Sequence, residues 1–515
     1  MFKRILVAAA LAGFFVGGVR AAEAPCDMLV GAGTAQPDLS RVRWPAAGTV
    51  CIRPGTYDRM LVLFNVQRSA GAPLVVRAQD AGDAPRLLRG VLVRQSAHVT
   101  VRGVDAANMG GYAAVLVDQG SHHVTIEKVR AHDASFGIAL GSAAQSDGLG
   151  GPAGVGNVVQ DNRVGTQIRH SGIAVQNGSG GAVPASDPHR PYATAILRNV
   201  VQDNGGHGIS IDNSKAVKVV ANWVDDNGYN GGGFSGIHFF ASSDNGACKG
   251  HLIRHNRIAN SRMKNLDLTA TDGNGILLDH FCDSNDVSFN VVQGNQGTGI
   301  SVFASAHNRI YHNTVVGNTL QPYRTSLFPP AWNNIGEIVI ASCAHVNPAT
   351  GRSDCVDGQV HPGRAHGNRV FNNIAHAIVD GSPAIHVMPT ASAAPLDNRI
   401  GPNLYWTGAN ASDSPNANWP PLIVGTPTTQ FSTAAIDSRT QSSGNLVERP
   451  AYVQFPTWRK SPVGSLRLTH KPARTGQAMT EAVPDIGGSP PTANASFFGA
   501  YYCSAAAAGA PCAAP

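Results

Sequence analysis

The tetrapeptide Gly275-Ile276-Leu277-Leu278 returns 24 residues later as Gly299-Ile300-Ser301-Val302. Between the two lies Asn290-Val291-Val292-Gln293-Gly294-Asn295, which returns as Asn313-Thr314-Val315-Val316-Gly317-Asn318. The apolar positions alternate over short segments and lack the three- and four-residue spacing of a helix. A period in the twenties with such segments and Gly or Asn at their ends is typical of a solenoid of β-strands.

The same two patterns occur upstream, the first at Gly137, Gly172, Gly208 and Gly236 and the second at Asn157, Asn199 and Asn222. Alternate Ile, Val and Leu side chains of one coil would pack against the coils above and below. Asn suits the corners because it tolerates the left-handed backbone conformation and can hydrogen-bond to its counterpart one coil away. The sequence therefore predicts a right-handed parallel β-helix of roughly ten or more coils.

The composition agrees with an extended β-solenoid. Gly accounts for 58 of the 515 residues, aromatic residues for 6% and charged residues for 14%, which excludes a helical bundle or a disordered chain. A solenoid grows by adding coils, so this length does not require several domains. We expect an N-terminal cap with the first coils at 22–80, the β-helix at 81–408, and a covering loop with a capping segment at 409–515.

The first 21 residues have the pattern of a secretory signal peptide. Lys3 and Arg4 precede an apolar run from Ile5 to Val19, and small residues allow cleavage before Ala22. The run is short for a membrane-spanning helix, and no later segment is apolar enough to span a bilayer. Loss of residues 1–21 lowers the formal net charge from +6 to +3, too little to indicate nucleic-acid binding but compatible with an acidic polymer. We expect a periplasmic or secreted monomer.

Eight cysteines in an exported chain indicate disulfide bonds. They occur as near neighbours in the sequence, and parallel coils bring such positions together. The absence of a Cys-x-x-Cys motif argues against a zinc cluster. The expected bonds are Cys26–Cys51, Cys248–Cys282, Cys343–Cys355 and Cys503–Cys512.

The first coils resemble a known family. The turn Pro54-Gly55-Thr56-Tyr57 and the segment Ala72-Pro73-Leu74-Val75-Val76-Arg77-Ala78 look like the opening of pectate-lyase-like β-helix proteins, nearest to the chondroitinase-B and alginate-lyase branch. The resemblance implies an enzyme that acts on polysaccharides. Because the resemblance rests on few motifs, it indicates the fold and the class of substrate but not which reaction is catalysed.

Insertions in the repeat predict where a binding groove lies. A coil takes 24 residues where it is regular, whereas Gly172 to Gly208 takes 36 and Gly236 to Gly275 takes 39. Long loops in a solenoid tend to collect on one side and line a groove. The main insertions are 141–156, 177–191, 241–250, 260–273, 321–334 and 342–367.

The strands that begin with Gly-Ile carry the candidate catalytic residues. Positions +1 and +3 after each Gly are apolar and predicted to point inward, so positions +2 and +4 lie on the outer face. In the middle coils this face carries Asp212, His238 and Asp279, followed by His280. Two coils separate the carboxylates by about 9.6 Å, near the upper limit for the acid and base of an inverting glycosidase. We expect Asp212 and Asp279 to form the charged pair and His238 and His280 to carry protons.

Other residues near this face are candidates for binding the substrate. Phe240 and Phe303 are placed to stack on sugar rings, and Lys215 or Arg254 to hold a substrate carboxylate. The neighbouring polar positions are Gln176, Asn177 and Asn213.

Asp187-Pro188-His189-Arg190 resembles the Asp-Pro-His signature of mannuronan C5-epimerases, which share the fold. In that family the signature lies on a strand, whereas here it follows the strand 172–176 in a Pro-rich insertion. Asp212 matches the family's next aspartate. The resemblance implies that Asp187 and His189 contact the substrate.

Two further family motifs match in part. Gly206-His207-Gly208 is similar to a polygalacturonase motif, but the preceding strand offers Gln176 and Asn177 where that family carries aspartates. A chondroitinase-B-like lyase would need a Lys and Arg pair and calcium held by Asn and Glu. Asn334 and Glu337 are candidates, although two oxygen ligands do not make a calcium site. No cofactor is required, and calcium binding stays open.

Three functions remain at this point. The first is cleavage of an acidic or complex polysaccharide, by β-elimination in preference to hydrolysis. The second is C5-epimerisation of a uronate polymer, and the third is carbohydrate binding without catalysis.

Overall fold

A computed structural model of the chain describes residues 24–142, 151–176, 193–230, 234–262, 272–320, 336–343, 359, 361, 363–379, 381–388, 397–408, 421–424, 429–430, 432–440, 442–450 and 498–500. The expected signal peptide therefore lies outside the described residues. Within these ranges no helix has the length and apolarity needed to cross a membrane.

The described residues form three 13-stranded sheets that run along the fold. Sheet I consists of Met28–Val30, Gly48–Ile52, Leu74–Ala78, Ala97–Arg102, His122–Glu127, Asn157–Gln160, Thr194–Leu197, Val217–Val220, Leu252–Arg254, Asp286–Ser288, Arg309–Tyr311, Arg369–Phe371 and Arg399–Ile400. Sheet II consists of Leu61–Phe64, Val91–Arg94, Ala113–Asp118, Phe136–Leu140, Ile173–Val175, Ile209–Asp212, Ile237–Phe240, Ile276–Asp279, Ile300–Phe303, Ile338–Ala341, Ile385–Val387, Leu422–Val424 and Thr429–Gln430. Sheet III consists of Thr56–Tyr57, Arg86–Leu87, Asp105–Ala107, Arg130–His132, Arg163–Ile168, Val200–Asn204, Trp223–Asp225, Arg257–Ala259, Val291–Gln293, Thr314–Val316, Ile374–Ala377, Leu404–Thr407 and Leu446–Val447.

Each coil passes through sheets II, I and III in that order, and its strands pair in parallel with those of the next coil, as in Ile209–Asp212 against Ile237–Phe240. Among the described pairings in the three sheets, the exception is the antiparallel pair of Leu422–Val424 with Thr429–Gln430. A two-stranded sheet (Cys248–Lys249, Cys282–Asp283) and one helix (Thr433–Thr440) complete the described elements. The fold is a right-handed parallel β-helix, as the sequence predicts.

The Gly that begins each Gly-Ile strand is required by close packing. A Cβ on Gly275 would lie 2.3 Å from Val292 Cγ1 and 2.6 Å from the carbonyl oxygen of Gly299 in the next coil. Gly208 is in the same situation, with Val224 Cγ1 at 2.4 Å and the Gly236 oxygen at 2.6 Å. The glycine pattern is therefore steric in origin, because the backbone of the following coil cannot withdraw without breaking the sheet.

Asparagine side chains form a hydrogen-bonded ladder at the corner between sheets I and III. The Oδ1 atom of Asn256 accepts hydrogen bonds from the backbone N–H and Nδ2 of Asn222, both at 3.0 Å. Asn256 donates in the same way to Asn290, and Asn290 to Asn313. These amides are fully buried, so each ladder bond satisfies groups that have no access to water.

The ladder asparagines Asn222, Asn256, Asn290 and Asn313 do not use the left-handed conformation that Asn tolerates. The residue before each one adopts it instead, as in Ala221 (φ 58°) before Asn222 and Phe289 (φ 55°) before Asn290. The left-handed residue turns the chain, and the following Asn is left with its side chain directed along the stack toward the next coil.

A second ladder follows the strands of sheet III and ends at a carboxyl group. Asn295 donates to Asn318 Oδ1, and Asn318 Nδ2 donates to Glu337 Oε2 at 2.6 Å. Glu337 is completely buried, and this burial raises its pKa from 4.5 to about 8 despite the hydrogen bonds from Asn318. Its carboxyl oxygens serve the ladder, whereas Asn334, its expected partner at calcium, lies outside the described residues.

The structure contains the expected bonds Cys26–Cys51 and Cys248–Cys282, with Cα atoms 5.6 and 4.6 Å apart. Both join neighbouring coils, and Cys248 and Cys282 are paired in register. Cys343 is also disulfide-bonded. Its expected partner Cys355, and the expected pair Cys503 and Cys512, lie outside the described residues.

The connections between strands differ sharply in length. The corner between sheets I and III takes only two residues in successive coils, for example 221–222, 255–256 and 289–290. The long insertions join sheet II to the rest of the coil. Residues 177–192 and 344–358 leave sheet II strands, and 263–271 and 321–335 enter them. These insertions therefore connect to the beginnings and ends of sheet II strands. The inserted residues themselves lie outside the described part.

Replacing Gly275 by Ala tests the steric origin of the repeat. The added methyl group would overlap a buried Val and a backbone oxygen, so we expect G275A to lower the free energy of unfolding by about 1–3 kcal/mol. Gly71 is the matched control, since nothing lies within 4 Å of a Cβ built there. Chemical denaturation of both variants checks this, and equal effects of G275A and G71A would contradict the explanation.

The buried carboxyl group of Glu337 makes stability depend on pH. Its folded-state pKa is raised above the unfolded value of 4.5, so its contribution is fully present below pH 4.5 and is lost as pH rises through about 8. We expect the Tm of the native protein to fall more between about pH 6 and about pH 9 than that of E337Q, which mimics the protonated group. D83N, at an exposed carboxylate, should leave the native dependence unchanged. Identical slopes for the native protein and E337Q would contradict this assignment.

Candidate functional site

The outer face of sheet II is covered rather than solvated in its middle coils. Ile209 and Ile211 belong to the core, and the intervening Ser210 points away from it yet is 3% exposed. In the next two coils the equivalent positions are His238 and Leu277, which are 8% and 3% exposed. Polar groups on this face are therefore largely desolvated, which strengthens every charge interaction among them.

His238, Asp279 and His280 form the centre of the site. Asp279 ends the strand Ile276–Asp279, and its Oδ2 atom lies 3.1 Å from Nε2 of His238 in the preceding coil. Its Oδ1 atom lies 2.7 Å from Nδ1 of His280, the next residue in the chain. One carboxylate thus contacts two imidazoles, each 8% exposed. We refer to these three residues as the Asp279 cluster.

A third imidazole extends the cluster. The ring of His207 stacks on that of His238 with centroids 4.2 Å apart and an interplanar angle of 9°. The backbone N–H of Ser235 donates to His207 Nδ1 at 3.0 Å, so that nitrogen is an acceptor and the imidazole is neutral with its proton on Nε2. Phe234 packs edge-on against the same ring at 5.1 Å.

Asp212 lies in the coil before the one that carries His238. It ends the strand Ile209–Asp212 and is in register with Phe240, which occupies the coil between Asp212 and Asp279. The Ser210 hydroxyl donates to Asp212 Oδ2 at 2.8 Å. The Phe240 ring lies 6.0 Å from both His238 and His280. The two carboxylates are thus two coils apart, as the sequence predicts, with an aromatic ring between them.

Burial and charge determine which residues of the Asp279 cluster carry a proton. Burial alone would raise the pKa of Asp279, but its contacts with His238 and His280 outweigh burial and bring the pKa below its usual range. Burial alone would lower the pKa of His238, yet the hydrogen bond to Asp279 and the charges of Asp279 and Asp212 raise it. Asp279 is therefore ionised and His238 favours its protonated form.

The pKa values of the two groups beside this ion pair shift the other way: that of the Asp212 carboxyl group rises and that of the His207 imidazole falls. Burial raises the pKa of Asp212, although the charge of His238 and the hydrogen bond from Ser210 act against the shift. Burial and the positive charge of His238 keep the pKa of His207 well below its ordinary value. The site therefore contains a carboxyl group and an imidazole that favour their neutral forms next to a carboxylate and an imidazolium. Such divergent pKa values are characteristic of acid–base chemistry.

The structure does not bring Arg254 to this site. Arg254 ends a strand of sheet I, whereas the Asp279 cluster is on sheet II. Its guanidinium donates to Ser288 Oγ and to the Tyr311 hydroxyl, each at 3.0 Å, and lies 3.9 Å from Asp286. An arginine held by these partners acts as a structural group of sheet I.

Lys215 stays near the edge of the site. It follows Asp212 at the corner between sheets II and I, where its backbone bridges to Lys249 of the next coil. Asn213 at the same corner has φ 48°, and its Oδ1 atom accepts from the backbone N–H of Ser242 at 2.9 Å. This corner thus brings two lysines together in adjacent coils.

The remaining sequence candidates differ in how they relate to the Asp279 cluster. Phe303 lies in register with Asp279, with its ring 5.1 Å from His280. Gln176 lies one strand before Asp212 and accepts a hydrogen bond from the Tyr112 hydroxyl at 2.6 Å. Three other candidates, Asn177, Asp187 and His189, lie outside the described residues.

His207 was not among the site residues predicted from the sequence. The predicted positions all follow the Gly of a Gly-Ile strand, whereas His207 precedes Gly208. The available signal was the Gly-His-Gly motif, which identifies the residue but not its stacking partner one coil away. The Asp279 cluster is not a converging set of metal ligands. Among the described residues, that arrangement occurs at His98, His122 and His123 on sheet I.

Three solved structures illustrate what the chain is similar to. The A-module of mannuronan C-5 epimerase AlgE6 from Azotobacter vinelandii is 15% identical, with a TM-score of 0.44 over 75% of this chain and 92% of that chain. The GH136 lacto-N-biosidase from Eubacterium ramulus is 15% identical, with a TM-score of 0.45 over 73% of this chain and 67% of that chain. Pectate lyase Pel9A is 13% identical, with a TM-score of 0.39 over 88% and 87%. These likenesses are too distant to indicate an activity.

No protein of curated function matches the sequence. A family model does, and it is described as "NosD: Periplasmic copper-binding protein (NosD)". It matches residues 76–337, a little more than half of the chain, and includes the coils that carry both Asp212 and the Asp279 cluster. The chain therefore belongs to the NosD family.

Proposed function

We propose that this protein is an exported enzyme that cleaves an acidic polysaccharide by β-elimination at the Asp279 cluster. The observation that carries the proposal is the buried contact of one carboxylate with two imidazoles on the outer face of sheet II. Export is supported by the signal-like N-terminus, the disulfides and the periplasmic description of the family.

Asp279 suits an orienting role better than the role of acid or base. Both of its oxygens contact imidazoles, and its lowered pKa makes it a weak base. The inverting-glycosidase arrangement considered from the sequence would require Asp279 to activate water directly. The geometry instead favours proton transfer by the histidines that Asp279 holds, in the manner of a carboxylate that fixes the tautomer of a catalytic imidazole.

These residues provide the parts of a β-elimination on a uronate. The Asp279 carboxylate, 2.7 Å from Nδ1 of His280, favours the proton on that nitrogen, so that Nε2 is the basic one and can take the proton on the carbon next to the uronate carboxylate. The electron pair of the broken C–H bond forms the new double bond as the glycosidic oxygen departs. Protonated His238 supplies a proton to that oxygen. Asp212, with its raised pKa, is the second candidate donor.

The surroundings fit an acidic sugar polymer. Phe240 and Phe303 flank the coil of Asp279 and offer aromatic faces beside the histidines. Lys215 and Lys249 lie in adjacent coils at the edge of sheet II and can neutralise a substrate carboxylate, which lowers the barrier to removal of the neighbouring proton. The long insertions, which the sequence predicts to line a groove, connect to the strands of this sheet.

The proposal is tested by incubating the full secreted chain with uronate polymers and with neutral polysaccharides. Unsaturated ends, seen as new ultraviolet absorbance together with chain cutting, are the expected result. New reducing ends without absorbance would identify a hydrolase, and a changed uronate composition without cutting would identify an epimerase. Binding without any product would identify a carbohydrate-binding protein. Each of these three results would contradict β-elimination.

Substitutions in the cluster should separate catalysis from stability. We expect D212N, H238Q and H280Q each to lower kcat/KM on the identified polymer by about 100-fold or more. Because the cluster is buried, H238Q leaves Asp279 without one hydrogen bond and should also lower the free energy of unfolding, by about 1–3 kcal/mol.

The matched control is D286N, which removes the charge of another largely buried carboxyl group with a raised pKa, on sheet I. It should reduce stability without a comparable loss of kcat/KM. If D286N and the cluster variants lost activity in proportion to stability alone, the Asp279 cluster would not be the catalytic site.

A further inference from the structure

Three histidines come together on sheet I, away from the face that carries the Asp279 cluster. His98 and His122–His123 lie near the start of two neighbouring strands, Ala97–Arg102 and His122–Glu127. The register pairs Val99 with Val124, so His123 faces His98 across one coil spacing. Both residues have the left-handed backbone conformation, with φ values of 53° and 52°. The shared conformation brings equivalent side chains to the same place in both coils.

The three rings present their nitrogens to one another. His98 and His123 stack with centroids 4.6 Å apart and an interplanar angle of 16°. His122 packs edge-on against both rings, and its Nδ1 atom lies 2.8 Å from Nδ1 of His123. One ligand nitrogen from each ring lies within 4.8 Å of the other two.

The following coil packs closely against these side chains. A Cβ on Gly154 would come within 2.9 Å of the Cβ of His122, and a Cβ on Gly156 within 2.7 Å of Cδ2 of His123. Any larger residue at these two positions would displace the rings. The glycines thus let the backbone support the imidazoles, which reduces the entropy lost when the rings are fixed around a ligand.

The contact between the rings of His122 and His123 favours a bound cation. Two Nδ1 atoms at 2.8 Å need a proton or a metal ion between them, because two lone pairs repel at that distance.

We infer that His98, His122 and His123 form a binding site for a transition-metal ion that prefers imidazole ligands, with copper as the favoured ion and zinc as the competitor. Metal–nitrogen bonds of about 2.0–2.1 Å place neighbouring ligand nitrogens about 3.3 Å apart around tetrahedral zinc and about 2.9 Å apart around tetragonal copper. Rotation about the side-chain torsions can bring the three nitrogens from within 4.8 Å to such separations. Three protein ligands leave a fourth position open for water or another ligand.

The choice of copper has two supports. Imidazole sites generally bind Cu(II) more tightly than the other divalent ions of the first transition row. The family to which the chain belongs is described as copper-binding, and this is the described donor set that suits such an ion. The site does not depend on the proposed polysaccharide chemistry, since it lies on a different sheet.

The test uses the mature chain without a polyhistidine tag, stripped of metal by a chelator. Titration with Cu(II) or Zn(II) alone, followed by calorimetry, should show one strong site per chain. The paramagnetic resonance spectrum of the copper form should show hyperfine splitting from nitrogen ligands. We expect H123Q, at the exposed member of the group, to weaken binding by at least about tenfold. The variant H98Q/H122Q/H123Q should lose the strong site.

The matched control is H307Q/H366Q, which removes another surface pair of imidazoles, with centroids 4.7 Å apart, at a corner of later coils. It should keep the strong site and its spectrum. Circular dichroism and Tm without metal establish that every variant folds, and copper should raise the Tm of the native chain but not of the triple variant. An unchanged stoichiometry in the triple variant, an equal loss in the control, or no strong binding by the native chain would overturn the inference.

Discussion

The register between successive coils is the constraint on which the rest of this structure depends. Buried amide ladders such as Asn222–Asn256–Asn290–Asn313 allow each coil one alignment with the next, because a shifted coil would leave amide groups unsatisfied in the core. The glycines at the starts of sheet II strands enforce the same alignment by steric fit. Residues far apart in the sequence thereby become neighbours in straight columns along the fold.

Both candidate sites are products of this alignment. On sheet II it brings His238 of one coil to Asp279 of the next, and on sheet I it stacks His123 on His98. The sites differ in what surrounds the imidazoles. A carboxylate at the first holds a proton on His238, whereas at the second three imidazole rings meet with one nitrogen of each within 4.8 Å of the others. The same side chain is suited to proton transfer in one place and to metal binding in the other.

Much of the fold followed from the sequence because its period translates directly into spacing between coils. The repeat of Gly-Ile strands predicted the parallel β-helix and placed Asp212 and Asp279 two coils apart. The sequence did not predict the position of Arg254, which lies on a strand of sheet I. Counting positions along the Gly-Ile strands describes sheet II and does not show where the chain turns into the next sheet. The sequence also did not show which corner residue turns the chain, because the left-handed residue precedes the ladder Asn and residue preference alone does not locate it.

Burial was the property that the sequence conveyed least. The cover over Ser210 and His238, the stacking of His207 and the raised pKa of Glu337 arise from packing between coils and from connections of irregular length. Periodicity describes the regular part of a coil and contains no information about such connections. The protonation pattern of the site follows from burial, so it could be derived only from the structure.

The central claim is that Asp279 keeps His238 protonated beside a neutral His207. Titration of the native protein and of D279N, with histidine ring carbons followed by nuclear magnetic resonance, measures this directly. The account predicts a pKa for His238 above the ordinary value of 6.5 and one for His207 well below it. In D279N the His238 pKa should fall, because burial then outweighs the remaining charge of Asp212. A His238 pKa at or below 6.5 in the native protein, or one unchanged in D279N, would contradict the account.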